Sequence, residues 1–94
     1  MGFDRRMIRV RFFAALREKL GRESIEVDSK MHSDLCRVIE AIRAQLGEAA
    51  AEAVCASNIR VAVNREFIGR DVHLREVNVR DGDEVAFMPP ITGG

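Results

Sequence analysis

The most constraining feature of the sequence is one long segment of helical period. Between residues 33 and 47, apolar side chains recur at spacings of three, one, three and four residues, which aligns them in one stripe along a helix. We predict that Ser33 caps this helix, that Asp34 lies in its first turn, and that Gly47 ends it. Such a helix has to bury its stripe against another element. The stripe consists of Leu35, Val38, Ile39, Ile42 and Leu46.

Segments in which apolar and polar residues alternate lie on both sides of this helix and predict the strands of a sheet. They occupy residues 7–13, 22–28, 59–63, 67–68 and 84–88. Shorter helices are predicted at residues 14–20 and 48–56, which are rich in good helix formers. The side chains that we expect to complete the core are Ile8, Val10, Phe12, Ile25, Val27, Val61, Val63, Leu74, Val77, Val79, Val85 and Phe87.

This order of elements predicts an α+β fold in which one major helix packs on one face of a mixed sheet. The first two strands have a short connection, so we expect them to pair antiparallel. The first and last strands can then lie side by side at the centre, which is typical of the β-grasp, or ubiquitin-like, fold. We expect residues 7–88 to form this domain, residues 1–6 to be a disordered leader, and residues 89–94 to be a flexible tail that ends in Gly-Gly.

Composition excludes several classes of protein. A chain of 94 residues, 47% of them hydrophobic, can build one core but leaves little room for a deeply enclosed active site. Lys and Arg number 15 and so do Asp and Glu, and this zero net charge argues against a nucleic-acid partner. No apolar run is long enough for a membrane span or a signal peptide. We therefore expect a cytoplasmic protein.

Few side chains in the sequence are suited to catalysis. His32 and His73 have no second ligand at a regular spacing, so no metal site is predicted. Cys36 and Cys55 form no CxxC motif. We expect both cysteines to behave as small buried hydrophobic residues, and a thiol that carries sulfur as a persulfide is the alternative. The acidic run at residues 81–84 is predicted to be a solvated turn, because calcium-loop spacing is missing.

The C-terminal tail is the most informative segment for function. It reads Pro89-Pro90-Ile91-Thr92-Gly93-Gly94. Gly93 and Gly94 have no Cβ, so they could enter a passage that admits only backbone. The two prolines keep the exit from the domain stiff. The terminal carboxylate could therefore reach the active site of another protein and be activated there, for instance by adenylation, to give a thioester or thiocarboxylate.

Residues 81–94 also resemble the C-terminal signature of the small, sulfur-carrier subunit family of molybdopterin synthase. They read Asp-Gly-Asp-Glu-Val-Ala-Phe-Met-Pro-Pro-Ile-Thr-Gly-Gly. The first strand with Leu16-Arg17-Glu18 is similar to the start of that family, and Ala62-Val63-Asn64 fits it as well. The resemblance extends from Met7 to Gly94. The leader and the alanine-rich segment at residues 48–56 depart from it.

The resemblance implies a sulfur carrier that acts as the sulfur-donating subunit of a heteromeric sulfurtransferase. An activating enzyme would use ATP to adenylate Gly94, and a sulfur-donor protein would supply the sulfur of a thiocarboxylate. Thr92 and Gly93 would occupy the narrow passage through which the tail enters the large subunit, in a heterotetramer of two small and two large subunits. Sulfur would pass to cyclic pyranopterin monophosphate in molybdenum cofactor biosynthesis. The carrier would bind no cofactor, and the pterin-binding and acid–base residues would belong to the large subunit.

Side chains of opposite parity to the core predict a partner-binding surface. If Phe12 and Phe87 point inward, the residues beside them point to the other face, where exposed Phe and Met side chains suggest an interface. Its arginines could steer an acidic partner. The predicted surface consists of Phe13, Ala86, Met88, Arg9 and Arg11.

Three other functions remain open at this point. A carrier of the same shape could serve thiamin or cysteine synthesis. A ubiquitin-like modifier would be conjugated through Gly94 to lysines of other proteins. A plain interaction domain would have a tail that can be removed without effect.

Overall fold

The computed structural model describes residues 7–28, 34–56, 58–69 and 77–89. Several residues singled out above lie outside this part of the chain. They are the leader at residues 1–6, the tail from Pro90 to Gly94, His32, Ser33, His73 and Leu74. Within the described ranges, the elements in chain order are β1 (Met7–Phe12), α1 (Ala14–Leu20), β2 (Ser24–Asp28), α2 (Leu35–Leu46), α3 (Glu48–Val54), β3 (Arg60–Val63), β4 (Glu66–Gly69) and β5 (Glu84–Met88).

The strands form one mixed sheet in the order β2-β1-β5-β3-β4. The first strand pairs antiparallel with β2 and parallel with β5, and β3 pairs antiparallel with both β5 and β4. The first and last strands therefore lie side by side at the centre, as predicted. The α+β, β-grasp architecture is confirmed.

One face of the sheet and the apolar stripe of α2 form the core. Phe12 and Phe87 stack on neighbouring central strands, with ring centroids 6.3 Å apart. The alanine-rich helix α3 adds Ala50 and Val54. Buried side chains from the sheet and α2 are Ile8, Val10, Phe12, Ile25, Val27, Leu35, Val38, Ile42, Val61, Val85 and Phe87.

Four residues predicted for the core are only half-buried. Ile39 lies at one border of the α2 stripe, and Leu46 lies in the last turn of the helix. Val63 is the last residue of β3, next to the turn into β4. Val77 is also half-buried, whereas Val79 is 2% exposed and reaches the core as predicted.

The start of α2 differs from the prediction by one residue. Asp34, not Ser33, is the N-cap: its backbone is extended, and its carboxylate accepts a hydrogen bond from the Arg37 N–H at 2.9 Å. Because the helix begins at Leu35, Asp34 holds the position from which a side chain reaches the exposed amides of the first turn. The Leu35 N–H donates to the Val77 carbonyl at 3.0 Å, which fixes this helix end to the segment before β5.

The end of α3 also comes earlier than predicted. The helix stops at Val54, two residues before Ala56, and Cys55 forms its C-cap. The Ala56 carbonyl then accepts a hydrogen bond from the Ile59 N–H at 3.0 Å, which turns the chain into β3. None of the described helices is long and apolar enough to span a lipid bilayer.

Candidate partner-docking surface

The sheet face opposite the helices carries an apolar centre bordered by arginines, and we call it the outer face. Pairing of the strands sets one row across it. Arg11 lies opposite Ala86, Ala86 lies opposite Ala62, and Ala62 lies opposite Phe67. The next row toward the tail places Met88 opposite Arg60. Small side chains at the centre therefore form a shallow floor between larger apolar groups.

The structure places the predicted docking residues together on this face, with less exposure than expected. Phe13, Ala86 and Met88 are half-buried, although exposed Phe and Met side chains were predicted. The Arg11 guanidinium lies 4.8 Å from the centre of the Phe13 ring and shields it. The Phe13 N–H also donates to the Phe87 carbonyl at 3.2 Å, so this residue continues the pairing of β1 with β5.

Phe67 is the large apolar side chain that sequence analysis missed. It is 57% exposed, while Ala62 opposite it is 5% exposed. The Arg60 guanidinium lies 5.8 Å from the Phe67 ring centre. The sequence signal is the two-residue turn at Asn64 and Arg65, since a turn of that length pairs Val63 with Glu66 and therefore Ala62 with Phe67.

Glu84 organises the charges of the outer face. Its side chain is 22% exposed, and its carboxylate accepts a hydrogen bond from Arg11 Nη1 at 3.2 Å. This ion pair holds Arg11 in place above Phe13. Arg9 lies 3.9 Å from the Glu26 carboxylate, and both of those side chains are more than half exposed, so this pair is weak. Of the two arginines predicted to steer a partner, Arg9 is therefore the freer charge.

Strand β5 ends beside this surface. Met88 ends β5, the central strand between β1 and β3, and Pro89 follows it. The predicted tail residues Thr92, Gly93 and Gly94 lie outside the described residues.

Other candidate groups do not form a site in the described structure. Within the described ranges, no cluster of three or more His, Cys, Asp and Glu side chains could hold a metal ion. The prediction that Cys36 is buried is wrong: it is exposed, because it lies one residue beyond Leu35 and about 100° around the helix from the apolar stripe. Cys55 is half-buried at the end of α3.

A family model described as the ThiS family matches residues 10–94. The chain belongs to the ThiS family. Among curated relatives of this ThiS-family chain, the molybdopterin synthase sulfur carrier subunits of Haemophilus influenzae and Escherichia coli are each 36% identical to it over 91 residues. Each alignment covers 94% of this chain and 100% of the relative. The resemblance found in the sequence is thus confirmed.

Solved structures share the fold of this ThiS-family chain. The small archaeal modifier protein 1 of Haloferax volcanii has a TM-score of 0.70 at 25% identity, covering 94% of this chain and 99% of that one. Subunits 1 and 2 of the molybdopterin-converting factor of Helicobacter pylori were solved as a complex. One chain of that complex matches this chain with a TM-score of 0.63 at 20% identity. That match covers 94% of this chain and 99% of the other.

Proposed function

We propose that this protein is the sulfur-carrier subunit of a molybdopterin synthase and that Gly94 carries the sulfur as a thiocarboxylate. The observation that carries the proposal is 36% identity, over nearly the whole chain, to relatives of that name. The sequence Pro-Pro-Ile-Thr-Gly-Gly supports it, because a tail that ends in two glycines suits a narrow passage into another protein.

The proposed cycle has two chemical stages. In the first, the Gly94 carboxylate attacks ATP on an activating enzyme, which forms an acyl adenylate and releases pyrophosphate. A donor then delivers sulfide-level sulfur, which attacks the acyl carbon of Gly94, displaces AMP and leaves a thiocarboxylate. In the second stage, the large subunit transfers this sulfur to cyclic pyranopterin monophosphate, and hydrolysis restores the carboxylate. This chain supplies the reacting group, while the nucleotide and pterin sites lie on its partners. It is thus the sulfur-donating subunit of the synthase rather than an enzyme by itself.

The large subunit docks, in this proposal, on the outer face of the sheet. Three apolar side chains from different strands or strand ends surround the alanine floor, namely Phe13, Phe67 and Met88. Strand β5, which precedes the tail in the sequence, ends at the edge of the same patch with Met88. Docking on this face would therefore bury apolar surface and place the tail in the partner in one step. The arginines around the patch, Arg9 above all, would favour an acidic rim on the partner.

Intact mass spectrometry tests the loading stage. The protein is incubated with its activating enzyme, ATP and a sulfur source, and its mass is compared with that of a matched variant lacking Gly94. We expect the wild-type chain to gain the mass of one oxygen-to-sulfur exchange and the variant to stay unchanged. A wild-type mass that does not change with an enzyme active on another carrier would contradict the proposal.

Protein modification is the second candidate function, favoured by the structural match to the small archaeal modifier protein 1. It predicts isopeptide links between Gly94 and lysines of other proteins, which can be found by mass spectrometry of digested cell protein. Carriers for thiamin or cysteine synthesis share the tail as well. Restored molybdopterin synthesis in cells that lack their own carrier would separate the molybdenum pathway from these two.

A further inference from the structure

Asn64 connects the β3–β4 hairpin to the turn before β5, at the end of the sheet away from the tail. Its N–H donates to the Glu84 carbonyl at 2.8 Å, and its side-chain oxygen accepts the Glu84 N–H at 3.0 Å. Its side-chain amide donates to the Asp83 carboxylate at 3.0 Å. We call these contacts among Asn64, Asp83 and Glu84 the Asn64 junction.

The backbone of the turn explains why asparagine suits this position. Asn64 and Arg65 have φ values of 53° and 71°, in the left-handed region. Asparagine enters that region more readily than most residues. Its amide is also both a donor and an acceptor, so one side chain can bond the Glu84 N–H and the Asp83 carboxylate at once. Glycine would keep the conformation and lose both side-chain bonds.

The other side of the junction is firmly attached to the central strands. The second oxygen of the Asp83 carboxylate accepts the Arg80 N–H at 2.8 Å. The Asp83 carbonyl accepts the Arg9 N–H of β1 at 3.0 Å, and the Gly82 N–H donates to the Met7 carbonyl at 2.9 Å. Asn64 thus ties the hairpin to a turn that is itself bonded to β1.

The element held by this junction is the edge strand that carries Phe67. In the described sheet, β4 pairs with β3 alone, and the register between them shifts at Val61 and Ala62. The regular part of the ladder is therefore the short stretch next to the turn, where Asn64 lies. Phe67 follows Asn64 by three residues and lies opposite Ala62 on the outer face.

We propose that Asn64 is a positioning residue for partner docking, which holds β4 so that Phe67 faces the partner together with Phe13 and Met88. This inference rests on the proposed function, because it takes the outer face to be the surface that binds the large subunit. Asn64 acts through Phe67 and needs no contact with the partner itself.

The first test compares Asn64→Gly with Arg65→Gly. Both variants place glycine at a left-handed position of the same turn, but Arg65→Gly leaves the Asn64 junction intact. We expect Asn64→Gly to raise the Kd for the large subunit about tenfold, which is about 1.4 kcal/mol. Arg65→Gly should stay within about twofold of wild type, since the ion pair that it loses, to the Glu84 carboxylate at 3.9 Å, involves an arginine side chain that is 86% exposed and is therefore weak. Amide hydrogen exchange should quicken in β4 of Asn64→Gly and remain slow in β1, which shows that the core is intact.

A double-mutant cycle with Phe67→Ala separates positioning from a general loss of structure. If Asn64 acts through Phe67, Asn64→Gly should change Kd by less than about twofold once Phe67 is alanine. An equal loss in both backgrounds, or a wild-type Kd for Asn64→Gly, would overturn the proposal. Should Asn64→Gly fail to fold, Asn64→Asp replaces it in the cycle, because it removes the donor to Asp83 and sets two carboxylates against each other.

The cycle also distinguishes the positioning role of Asn64 from the proposal that the large subunit docks on the outer face. If Phe67→Ala binds the large subunit as tightly as wild type does, the proposed docking surface is refuted, and the positioning role of Asn64 is refuted as well. Phe67→Ala that binds weakly, next to an unaffected Asn64→Gly, refutes positioning alone.

Discussion

At the scale of single residues, the outer face shows how burial and function diverge on one sheet. Phe12 and Phe87 face the core and are buried. Their neighbours in sequence, Phe13 and Met88, face the other side of the sheet and are half-buried. Phe67 is 57% exposed and lies on the same sheet face as Phe13 and Met88, and apolar side chains that share one face suggest an interaction site. Such a residue adds little to folding and much to an interface in which it becomes buried.

Phe67→Ala should therefore weaken binding of the large subunit far more than it weakens folding. We expect Kd to rise about tenfold or more, and the free energy of unfolding to change by less than about 1 kcal/mol. Met7 gives the matched control: it is a large apolar side chain that is 38% exposed, and it lies at the start of β1, at the end of that strand away from Phe13. Met7→Ala should leave Kd unchanged. Titration calorimetry and chemical denaturation measure the two quantities. Equal Kd values for Phe67→Ala and wild type would exclude Phe67 from the interface.

Phe13→Ala and Met88→Ala should also affect binding more than folding, with a larger folding cost than Phe67→Ala. Both side chains are half-buried, and Phe13 additionally lies beneath the Arg11 guanidinium. The same two measurements apply. A loss of stability as large as the loss of binding energy would show that these residues serve the fold rather than the partner.

At the scale of elements, strong patterns were predicted well and weak ones were not. Strand β5 has the predicted bounds and helix α2 ends where predicted, because a clean alternation and a continuous stripe each constrain where the element lies. The predicted position of the α2 N-cap was wrong by one residue. Serine and aspartate are about equally good N-caps, so the sequence alone does not decide between Ser33 and Asp34. Phe67 was missed because β4 is short, so that only the two-residue turn at Asn64 and Arg65 indicates which side chain it pairs with Ala62.

Helix α2 provides a stability prediction that uses its own burial pattern. Ile42 is fully buried beneath the sheet, whereas Ile39 is half-buried at the border of the stripe. Ile42→Ala should cost about 3 kcal/mol or more, within the usual range for buried aliphatic residues, and Ile39→Ala should cost less than about 2 kcal/mol. Urea denaturation of the two variants checks the order. A larger loss for Ile39→Ala would show that the border of the core is misplaced.

At the scale of the whole molecule, the proposed function uses the tail and the outer face of the sheet together, on the same partner. The fold class was predictable from the order of periodic segments, whereas the role of the tail stays a prediction from residues 89–94. The residues and contacts of the outer face were only partly predictable. Parity gave Phe13, Ala86 and Met88, but the ion pair of Arg11 with Glu84 depends on a parallel pairing between distant strands.

A substitution in the tail should lower sulfur transfer without lowering the stability of the domain. Gly93→Val adds a β-branched side chain where the proposed passage admits backbone alone. Sulfur transfer should fall by about a hundredfold, as small misplacements at a reacting centre commonly cause. Circular dichroism on heating should show an unchanged melting temperature, with Thr92→Ser as the control that keeps both glycines. Normal transfer by Gly93→Val would argue against a narrow passage.

The central claim is that Gly94 itself delivers the sulfur. Its most direct test is a single-turnover assay in which the chain, loaded with radioactive sulfur, is mixed with the large subunit and cyclic pyranopterin monophosphate. We expect labelled molybdopterin from the wild-type chain, and none from a chain that lacks Gly94 or carries one extra residue after it. Full molybdopterin formation with either altered chain would contradict the sulfur-carrier role and leave a binding domain only.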